Sequence, residues 1–513
     1  MNFISRYKFF ISFFVWRGDY CFSRWLLIRF FGFIYFFAFL VFVHQFPGLL
    51  GSKGILPTQL FIDQLLHQHS LVTGFLRLPS LFLFSSSDVM MTCIGWGGLL
   101  LSLLVIAGCV NGFIFLLLWI LYLSIVNGGQ LFYGFGWEMM MLELGFLSIF
   151  LVPFWTFKGQ KEVPSKLILF LILWFLFRVM FGAGLIKLRG DVSWRDLTAL
   201  FYHFETQPIP NILSSYFHFL PKFILKIGVL FNHVAELIIP FFYFGPLLFR
   251  RIGGMVTILF QVILILSGHL SWLNWLTILL CIPCFDDQFW KWLLPKRLVS
   301  FILGRNLEYC QLTRFRRVVI GVLFGLILFL SFQPIQNLFS KKQLMNASFD
   351  SFHIVNTYGA FGHVGKVRRE LVLEATLDSK ITKNTVWVPY EFNAKPGNLN
   401  KASPILFMYH YRLDWQIWFA AMSSYQYNPW VVHLIYKLLN NEQVVNDLFY
   451  KVPFPNRAPS YIRVLLYEYR LTNPYIRQSS AYWERSFRGI YLPALSRNDG
   501  SLLDFLSQYG WIK

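Results

Sequence analysis

Apolar stretches long enough to cross a lipid bilayer fill the chain up to residue 333 and restrict what it can fold into. A membrane-spanning helix needs roughly 20 consecutive apolar residues, and about nine stretches near that length are present. Only 14% of the 513 residues are charged, against roughly 25% in soluble proteins. The sequence therefore predicts an α-helical polytopic membrane bundle of about nine spans, with eight or nine as the range. The predicted spans are 27–46, 91–110, 112–127, 137–156, 166–185, 224–248, 254–270, 272–289 and 316–333.

Two predicted hairpins, 91–127 and 254–289, are interrupted only by Asn111-Gly112 and by Ser271. Either pair can also be interpreted as re-entrant or strongly tilted. The first apolar run is too long and too far from residue 1 for a cleaved signal peptide, and no small-residue cleavage site follows it. We therefore expect it to be retained as the first span.

The basic residues follow the pattern of a membrane protein rather than that of a nucleic-acid-binding protein. The formal net charge is +20, but no compact Lys/Arg run with interleaved aromatic residues is present. With a cytoplasmic N-terminus, the predicted inner segments carry many more Lys and Arg residues than the outer ones, as the positive-inside rule requires. This asymmetry favours an odd number of spans. It also predicts that the loop 182–222 and the residues after 333 face outward, toward the lumen or periplasm.

The remainder of the chain has the composition of a water-facing domain. Polar and apolar residues alternate from Lys366 and again from Trp387, which predicts strands with one polar face. Two later stretches have the pattern of amphipathic helices. The sequence thus predicts a transmembrane helical domain over 1–333 and an outward α+β domain over 334–513.

Ionisable residues within the predicted spans identify candidate interior contacts. Each costs about 2.5–3.5 kcal/mol at the centre of a span on insertion scales, so it needs a partner or a cavity. Glu143 and Arg178 carry opposite charges in adjacent spans, which predicts a buried ion pair that stabilises the bundle. His233 and Glu236 share a helical face and are interpreted as a hydrogen-bonded pair. A metal site needs a third ligand, and none stands at a recognisable spacing, so we expect no metal and no cofactor.

Cys281-Ile-Pro-Cys284 matches a redox pattern, but it closes an apolar span with no βαβ unit around it. Both thiols are therefore interpreted as small hydrophobic groups. The two carboxylates that follow, Asp286 and Asp287, are expected to remain solvated. Six cysteines in 513 residues do not indicate a disulfide scaffold.

Residues 182–211 combine charge, Trp and Pro directly after a predicted span, which is unusual for a plain connector. The small residues of Gly182-Ala-Gly184 indicate a close approach of two helices. Lys187 has two interpretations. Its ammonium group either snorkels to the interface, or it is buried and acts as a base with His203 or Glu205 nearby.

Motifs in both halves carry a resemblance to a known family. In the membrane half they are Asn127-Gly-Gly-Gln130, Gly136-Trp137-Glu138, Gly182-Ala-Gly184-Leu-Ile-Lys187-Leu-Arg189-Gly-Asp191, Trp194-Arg-Asp-Leu-Thr198, Glu205-Thr-Gln207-Pro208, and Asn232-His233 with Glu236. In the outer domain they are Tyr358-Gly-Ala-Phe361, Tyr390-Glu-Phe392, Lys395-Pro-Gly397, Tyr411-Arg-Leu-Asp-Trp415 and Trp418-Phe-Ala420. On these residues the chain resembles a lipase maturation factor over nearly its whole length.

The resemblance implies an endoplasmic-reticulum membrane protein that helps secreted homodimeric lipases reach an active, assembled fold. In a bacterial relative the outer side would be the periplasm. The expected partners are a secreted client protein and membrane lipid, with no nucleic acid and no established catalysis. The candidate client-contact residues are Tyr390, Glu391, Arg412, Asp414, Trp415 and Trp418. The competing interpretation places the aromatic residues among them in the core of the outer domain.

A second resemblance is confined to the membrane half. Residues 46–57 and the spacing from Gly184-Leu-Ile-Lys187 to Trp194 are similar to the transmembrane domain of vitamin K-dependent carboxylase-like proteins. This resemblance implies a membrane enzyme with Lys187 as its base, and it is the alternative to a maturation factor.

Overall fold

The computed structural model describes residues 19–157, 162–295, 297, 311–476 and 480–512. Its membrane half is built from helices. They are α1 (Cys21–Leu49), α2 (Thr58–Gln68), α3 (Leu71–Arg77), α4 (Asp88–Ala107), α5 (Gly112–Gly128), α6 (Gly136–Leu151), α7 (Lys166–Gly190), α8 (Val192–Arg195), α9 (Leu200–Thr206), α10 (Ile212–His218), α11 (Lys222–His233), α12 (Leu247–Ser267), α13 (Leu273–Cys281), α14 (Asp287–Leu293), α15 (Arg314–Leu330) and α16 (Phe332–Phe339).

Six helical segments in the described ranges are long and apolar enough to cross a membrane. They are Cys21–Leu49, Asp88–Ala107, Lys166–Gly190, Lys222–Phe244, Leu247–Ser267 and Arg314–Phe339. The predicted spans 112–127, 137–156 and 272–289 fall on the shorter helices α5, α6 and α13. With 16 residues, α6 rises only about 24 Å, less than the hydrocarbon thickness of about 30 Å. The structure therefore supports a polytopic bundle but does not confirm nine spans.

The carboxylates after the Cys-x-x-Cys motif are buried, so the expectation that they remain solvated is wrong. Asp287 accepts hydrogen bonds from the backbone N–H groups of Cys21 and Phe22, both at 2.9 Å. It thereby satisfies donors that the first turn of α1 leaves unpaired. Asp286 forms a salt bridge with Arg251 at 2.5 Å. The cysteines of the motif are free and buried, in agreement with their interpretation as small hydrophobic groups.

We call the described residues after α16 the outer domain, after the predicted orientation, and they form two antiparallel sheets and four helices. Strands β1 (Ala347–Ser348) and β2 (Asn356–Thr357) form a short pair. The larger sheet has the order β4-β3-β5-β6. Its strands are β3 (Arg368–Thr376), β4 (Val388–Pro389), β5 (Tyr461–Leu471) and β6 (Trp483–Leu495). The helices are α17 (Arg412–Ala420), α18 (Trp430–Leu439), α19 (Gln443–Asn446) and α20 (Gly500–Gln508).

The charged residues of β3 correct the prediction of one polar face. The strand lies where the sequence placed it, but Arg368, Glu370 and Glu374 are all buried. That face of the strand packs against the chain around Gln207 rather than against water. Alternation therefore identified the strand but gave the wrong environment for its polar face, because a second layer covers it.

The outer domain packs directly on the membrane helices, and one hydrophobic cluster runs through both. At the end of α1, a Cβ on Gly48 would lie 2.2 Å from the carbonyl oxygen of Val444 in α19. At the other side, a Cβ on Gly182 in α7 would lie 2.5 Å from the carbonyl oxygen of Tyr358. Two membrane helices thus meet the outer domain backbone to backbone.

Candidate functional site

The segment after α7 is attached to the outer domain by its polar side chains. The carboxylate of Asp191 accepts hydrogen bonds from the backbone N–H groups of Ser193 (2.8 Å) and Val364 (3.1 Å). The indole N–H of Trp194 donates to the carbonyl of Phe361 at 2.8 Å. The charged and Trp side chains of this segment thus form hydrogen bonds between the two halves of the molecule.

Arg368 of β3 holds the end of the same segment. Its guanidinium donates to the carbonyl oxygens of Glu205 (2.9 Å), Gln207 (2.5 Å) and Pro208 (3.0 Å). It also pairs with Glu370 at 2.5 Å, and both side chains are fully buried. A single arginine therefore binds three carbonyl groups at the end of α9 and directly after it. Sequence reasoning did not single out Arg368; the available signal was a charge within an alternating strand.

The remaining polar residues of the segment also contact neighbouring backbone. The Glu205 carboxylate accepts from the N–H of Leu471 at 2.7 Å, so it faces the outer domain rather than Lys187. The Gln207 side-chain amide donates to the carbonyl of Ser267 at 2.7 Å. Arg189 donates to the carbonyl of Leu338 at 2.7 Å.

Lys187 is buried, so the prediction of a snorkelling side chain is wrong. Only 4% of the residue is exposed. Its Nζ lies 2.5 Å from Glu236 Oε1 and 3.3 Å from Asn232 Oδ1, and it is 5.1 Å from the centre of the Trp194 ring. A carboxylate, an amide oxygen and an aromatic face are the partners of an ammonium group. These contacts describe a compensated buried cation.

An irregularity in the following span presents Glu236 to Lys187. The chain after α11 continues through a π-helical turn, Val234–Ile238, a distortion that changes which side chains face a neighbour. A Cβ on Gly184 would lie 2.7 Å from a Leu237 methyl carbon, which confirms the predicted close helix approach. The expected His233–Glu236 pair is not formed, because His233 Nε2 contacts the carbonyl of Trp194 at 2.9 Å instead.

The Lys187–Glu236 pair leads to a prediction that tests the structural role of this buried cation. Lys187→Met leaves the Glu236 carboxylate buried without a counter-charge and is expected to lower the free energy of unfolding by about 3–5 kcal/mol. Combining it with Glu236→Leu is expected to recover most of that loss, because both charges are then removed. Thermal unfolding in detergent solution measures both changes. A double variant as unstable as the single one would contradict the ion-pair role.

Glu143 and Arg178 form the predicted ion pair, and the outer domain completes it. Arg178 Nη2 contacts Glu143 Oε1, and Nη1 donates to the carbonyl of Asn356 at 2.6 Å. Glu143 also accepts from the backbone N–H of Asn356 at 3.2 Å and from the hydroxyl of Tyr358 at 2.8 Å. The sequence predicted the pair but not its contacts with β2 and the residue after it.

A second buried pair joins Glu138 of α6 to Arg412 of α17. Arg412 Nη1 lies 2.8 Å from Glu138 Oε1 and donates to the carbonyl of Phe132 at 2.7 Å. The Arg412 guanidinium carbon lies 3.4 Å from the centre of the Tyr133 ring. Glu138 also accepts from the indole N–H of Trp137 at 3.0 Å. A charge of the outer domain is thus neutralised by a charge on a helix of the membrane half.

Other motif residues near this pair have backbone partners. The side-chain amide of Gln130 donates to the carbonyl of Leu56 at 3.0 Å. Gln130 itself has a φ of 50°, in the left-handed region that residues with a Cβ seldom adopt. Its side-chain contact therefore helps to hold a turn that the backbone alone disfavours.

Burial favours a structural role for most of the candidate client-contact residues. Tyr390, Arg412, Asp414 and Trp415 are buried. Trp418 is partly exposed and donates its indole N–H to the carbonyl of Thr206 at 3.0 Å. Glu391 is also partly exposed. Client contact by these residues stays a prediction. Among the six, only Trp418 and Glu391 are exposed enough for a partner to reach them.

Asp414 gives a prediction for the pH dependence of stability. Burial raises its pKa to about 6, although the N–H groups of Ala394 and Lys395 donate to its carboxylate. A raised folded-state pKa stabilises the fold fully below about pH 4, and that stability is lost as pH rises through about 6. Asp414→Asn keeps an acceptor oxygen but cannot ionise. Its melting temperature should therefore fall less than that of the wild type between pH 4.5 and 7, and equal slopes would contradict the assignment.

A cavity of about 600 Å³ lies between the two halves of the molecule. We call it the interdomain cavity. Its lining includes Trp137, His203, Leu273, Phe361, Trp415 and Arg369. A smaller cavity of about 70 Å³ contains Lys187 and Glu236 in its wall and shares His203 and Phe361 with the larger one.

His203, which lines both cavities, is held in its neutral form. Burial is the main cause that lowers the pKa of His203 to about 4, and the charge of Lys187 adds to it. The imidazole ring is therefore neutral near pH 7.

Within the described ranges, no group of three or more His, Cys, Asp and Glu side chains is arranged to hold a metal ion. The polar groups of the site are instead used in ion pairs and in hydrogen bonds to backbone. This arrangement suits a rigid connection between domains.

Comparisons with known proteins cover the same two regions. Residues 22–292 match the model of the lipase maturation factor transmembrane domain, and residues 354–493 match that of the lipase maturation factor C-terminal domain. The chain is 38% identical to human Lipase maturation factor 1 over 522 residues, covering 96% of this chain and 91% of that protein. The chain belongs to the lipase maturation factor family. The resemblance to carboxylase-like proteins gains no support from these matches.

Two further relatives show the breadth of the family. The mouse Lipase maturation factor 1 is 40% identical over 509 residues, covering 94% of this chain and 88% of that protein. Human Lipase maturation factor 2 is 25% identical over 596 residues, covering 93% and 83%. No solved structure matches the chain.

In this lipase maturation factor, buried charges connect the two matched regions at three places. Glu143 contacts Asn356, Glu138 contacts Arg412, and the carbonyl groups of Glu205, Gln207 and Pro208 contact Arg368. The transmembrane and C-terminal domains of this family member therefore form one continuous structure.

Proposed function

We propose that this protein is a membrane-embedded maturation factor that assists the folding and assembly of secreted homodimeric lipases. The observation that carries the proposal is the 38% identity to human Lipase maturation factor 1 over 96% of the chain. The proposed domains are a transmembrane domain over 1–333 and an outer domain over 334–513. The proposed partners are a secreted lipase and membrane lipid.

The geometry supports a non-catalytic role for the site. The charged groups around residues 182–211 are compensated by fixed partners, and a buried compensated charge mainly holds elements in place. Trp418 and the neighbouring Phe419, which is 40% exposed, present aromatic surface beside the interdomain cavity. Exposed apolar surface of this kind binds partly folded partners. We therefore propose that the client contacts the outer domain at this face.

A complementation experiment tests the function. The chain is expressed with a secreted homodimeric lipase in cells that lack their own lipase maturation factors. Lipase activity in the medium is then divided by the amount of lipase protein. We expect the wild type to raise this ratio and the amount of dimer. Lys383→Gln, a change at an exposed residue, serves as the matched control and should retain the effect. A correctly inserted, folded wild-type protein that leaves the ratio unchanged would refute the proposal.

We further propose that the protein resides in the endoplasmic-reticulum membrane with the outer domain in the lumen. The excess of basic residues in the predicted inner segments supports this orientation. Segment 182–211 and the outer domain share one side, because Asp191 and Trp194 contact residues of the outer domain.

A glycosylation reporter tests this orientation. The natural sequon at Asn346 is a poor reporter, because the Asn346 side chain packs so closely that a Cβ on Gly136 would lie 2.3 Å from it. Val386→Thr instead completes a sequon that begins at the exposed Asn384. We expect a glycosidase-sensitive mass increase in this variant and none when Asn384→Gln is added. An unmodified Val386→Thr protein in the same membrane would contradict a lumenal outer domain.

A further inference from the structure

The interdomain cavity lies at the level where the membrane helices end. Its wall includes Trp137 from the first turn of α6, Asp191 directly after α7, Leu270 between α12 and α13, and Leu273 at the start of α13. The opposite wall comes from the outer domain, including Trp415 of α17. The cavity therefore lies beside the ends of the apolar helices, where the boundary between lipid and water is expected.

The interior of the cavity is predominantly apolar, and several aromatic rings stand in its wall. The Phe135 and Trp137 rings are stacked with centroids 4.6 Å apart, and Trp137 meets Trp415 edge to face at 5.0 Å. Phe135 also stacks on Phe419 at 6.3 Å. Leu273 adds an aliphatic surface. Such walls favour an apolar occupant, because the transfer of methylene groups from water to an apolar environment is favourable.

Two polar features distinguish this cavity from an ordinary packing defect. Trp415 has a buried indole N–H without a hydrogen-bond partner among the described residues, and a buried donor usually finds one. Arg369, an exposed cation, lies in the wall together with the exposed His363. Asp191, the one carboxylate among the described residues of the wall, already accepts backbone hydrogen bonds from Ser193 and Val364. The exposed edge of the cavity at Arg369 and His363 therefore favours an anionic group. The apolar interior favours a hydrocarbon chain.

We propose that the interdomain cavity binds a single long-chain fatty acid, with its acyl chain among Trp137, Trp415 and Leu273 and its carboxylate beside Arg369. The volume of about 600 Å³ lies within the range of pockets that enclose one drug-sized molecule. A diacyl phospholipid, with two chains and a large head group, exceeds that size. The proposal goes beyond assistance to lipase folding and does not depend on it.

Photolabelling tests the proposal. The full-length protein is placed in phosphatidylcholine nanodiscs, which avoids detergent, and is exposed to a long-chain fatty acid that carries a diazirine. Labelled positions are identified by mass spectrometry. We expect saturable labelling of residues in the cavity wall that unlabelled fatty acid of the same length suppresses.

Two variants make the test specific. Ala360, which lies in the walls of both cavities, is changed to Trp to fill the space, and labelling should fall about tenfold, the change that a loss of 1.4 kcal/mol produces. Arg369→Gln removes the exposed cation and should raise the half-saturating concentration about two- to fivefold, as surface charge pairs do. Lys383→Gln, at an exposed residue that does not line the cavity, should behave as the wild type.

The outcomes decide between occupants. If Ala360→Trp does not fold, the exposed Arg369→Gln change and the competition by unlabelled fatty acid still decide the question. Labelling spread over lipid-facing helices without saturation would overturn the proposal. So would equal labelling of the cavity by a diazirine-bearing phosphatidylcholine. If an unfolded lipase chain suppresses the labelling while unlabelled fatty acid does not, the cavity belongs to the client and the proposal fails.

Discussion

Arg178→Gln is expected to lower the free energy of unfolding by about 3–5 kcal/mol, the usual result of breaking a buried ion pair from one side. The change leaves the Glu143 carboxylate in an apolar bundle without its counter-charge, and it removes the donor to the carbonyl of Asn356. Both losses act at the same place, where α6, α7 and β2 meet. Thermal unfolding of the purified protein in detergent solution measures the effect.

Two companion variants show that the loss belongs to the pair. Glu143→Gln is expected to destabilise by a similar amount, and the double variant by clearly less than the sum, because the residues share one network. Arg178→Lys keeps the charge but loses the planar fork that reaches two acceptors, so an intermediate effect is expected. If Glu143→Gln were neutral while Arg178→Gln abolished folding, the pair would not be the stabilising unit.

Arg412→Ala is expected to lower the free energy of unfolding by a similar amount, about 3–5 kcal/mol, and to abolish lipase maturation in the complementation experiment. The change leaves Glu138 buried without its counter-charge, opens a space over the Tyr133 ring and removes the hydrogen bond to the carbonyl of Phe132. Because this arginine joins α17 to the membrane helices, the outer domain should also become more sensitive to protease.

Arg463 provides the matched control for this prediction. It forms an ion pair with Glu374 at 2.7 Å in the same domain, but its side chain is 32% exposed. Arg463→Ala is therefore expected to cost about 1 kcal/mol or less and to leave the protease pattern unchanged. Equal effects of the two substitutions would show that Arg412 is no more than a surface contact.

Local sequence patterns correctly predicted several helices, one strand and one ion pair of this protein. Apolar length identified the long spans, and opposite charges in adjacent spans identified the Glu143–Arg178 pair. Alternation located β3 to within a few residues. These predictions depend on the pattern of neighbouring residues and on the cost of placing a charge in lipid. Both can be assessed from the sequence without knowledge of the tertiary structure.

The same patterns failed where the environment came from distant residues. Alternation placed Arg368 on a solvated face, and one of the two interpretations of Lys187 placed its ammonium group at the interface, yet both residues are buried. Their partners are far along the chain: Glu236 lies 49 residues from Lys187, and Glu205 lies 163 residues from Arg368. No periodicity connects positions so far apart.

By itself, the sequence determined that the chain is a polytopic membrane protein with a mixed α/β outer domain, and its motifs indicated the lipase maturation factor family. Hydrophobic length and composition suffice for the first, because lipid tolerates few structures other than apolar helices. Only the tertiary structure decided what the charged residues of 182–211 do. Packing brings Lys187 to Glu236 and Arg368 to the carbonyl of Gln207. A buried charge takes its role from the partner that the fold places beside it.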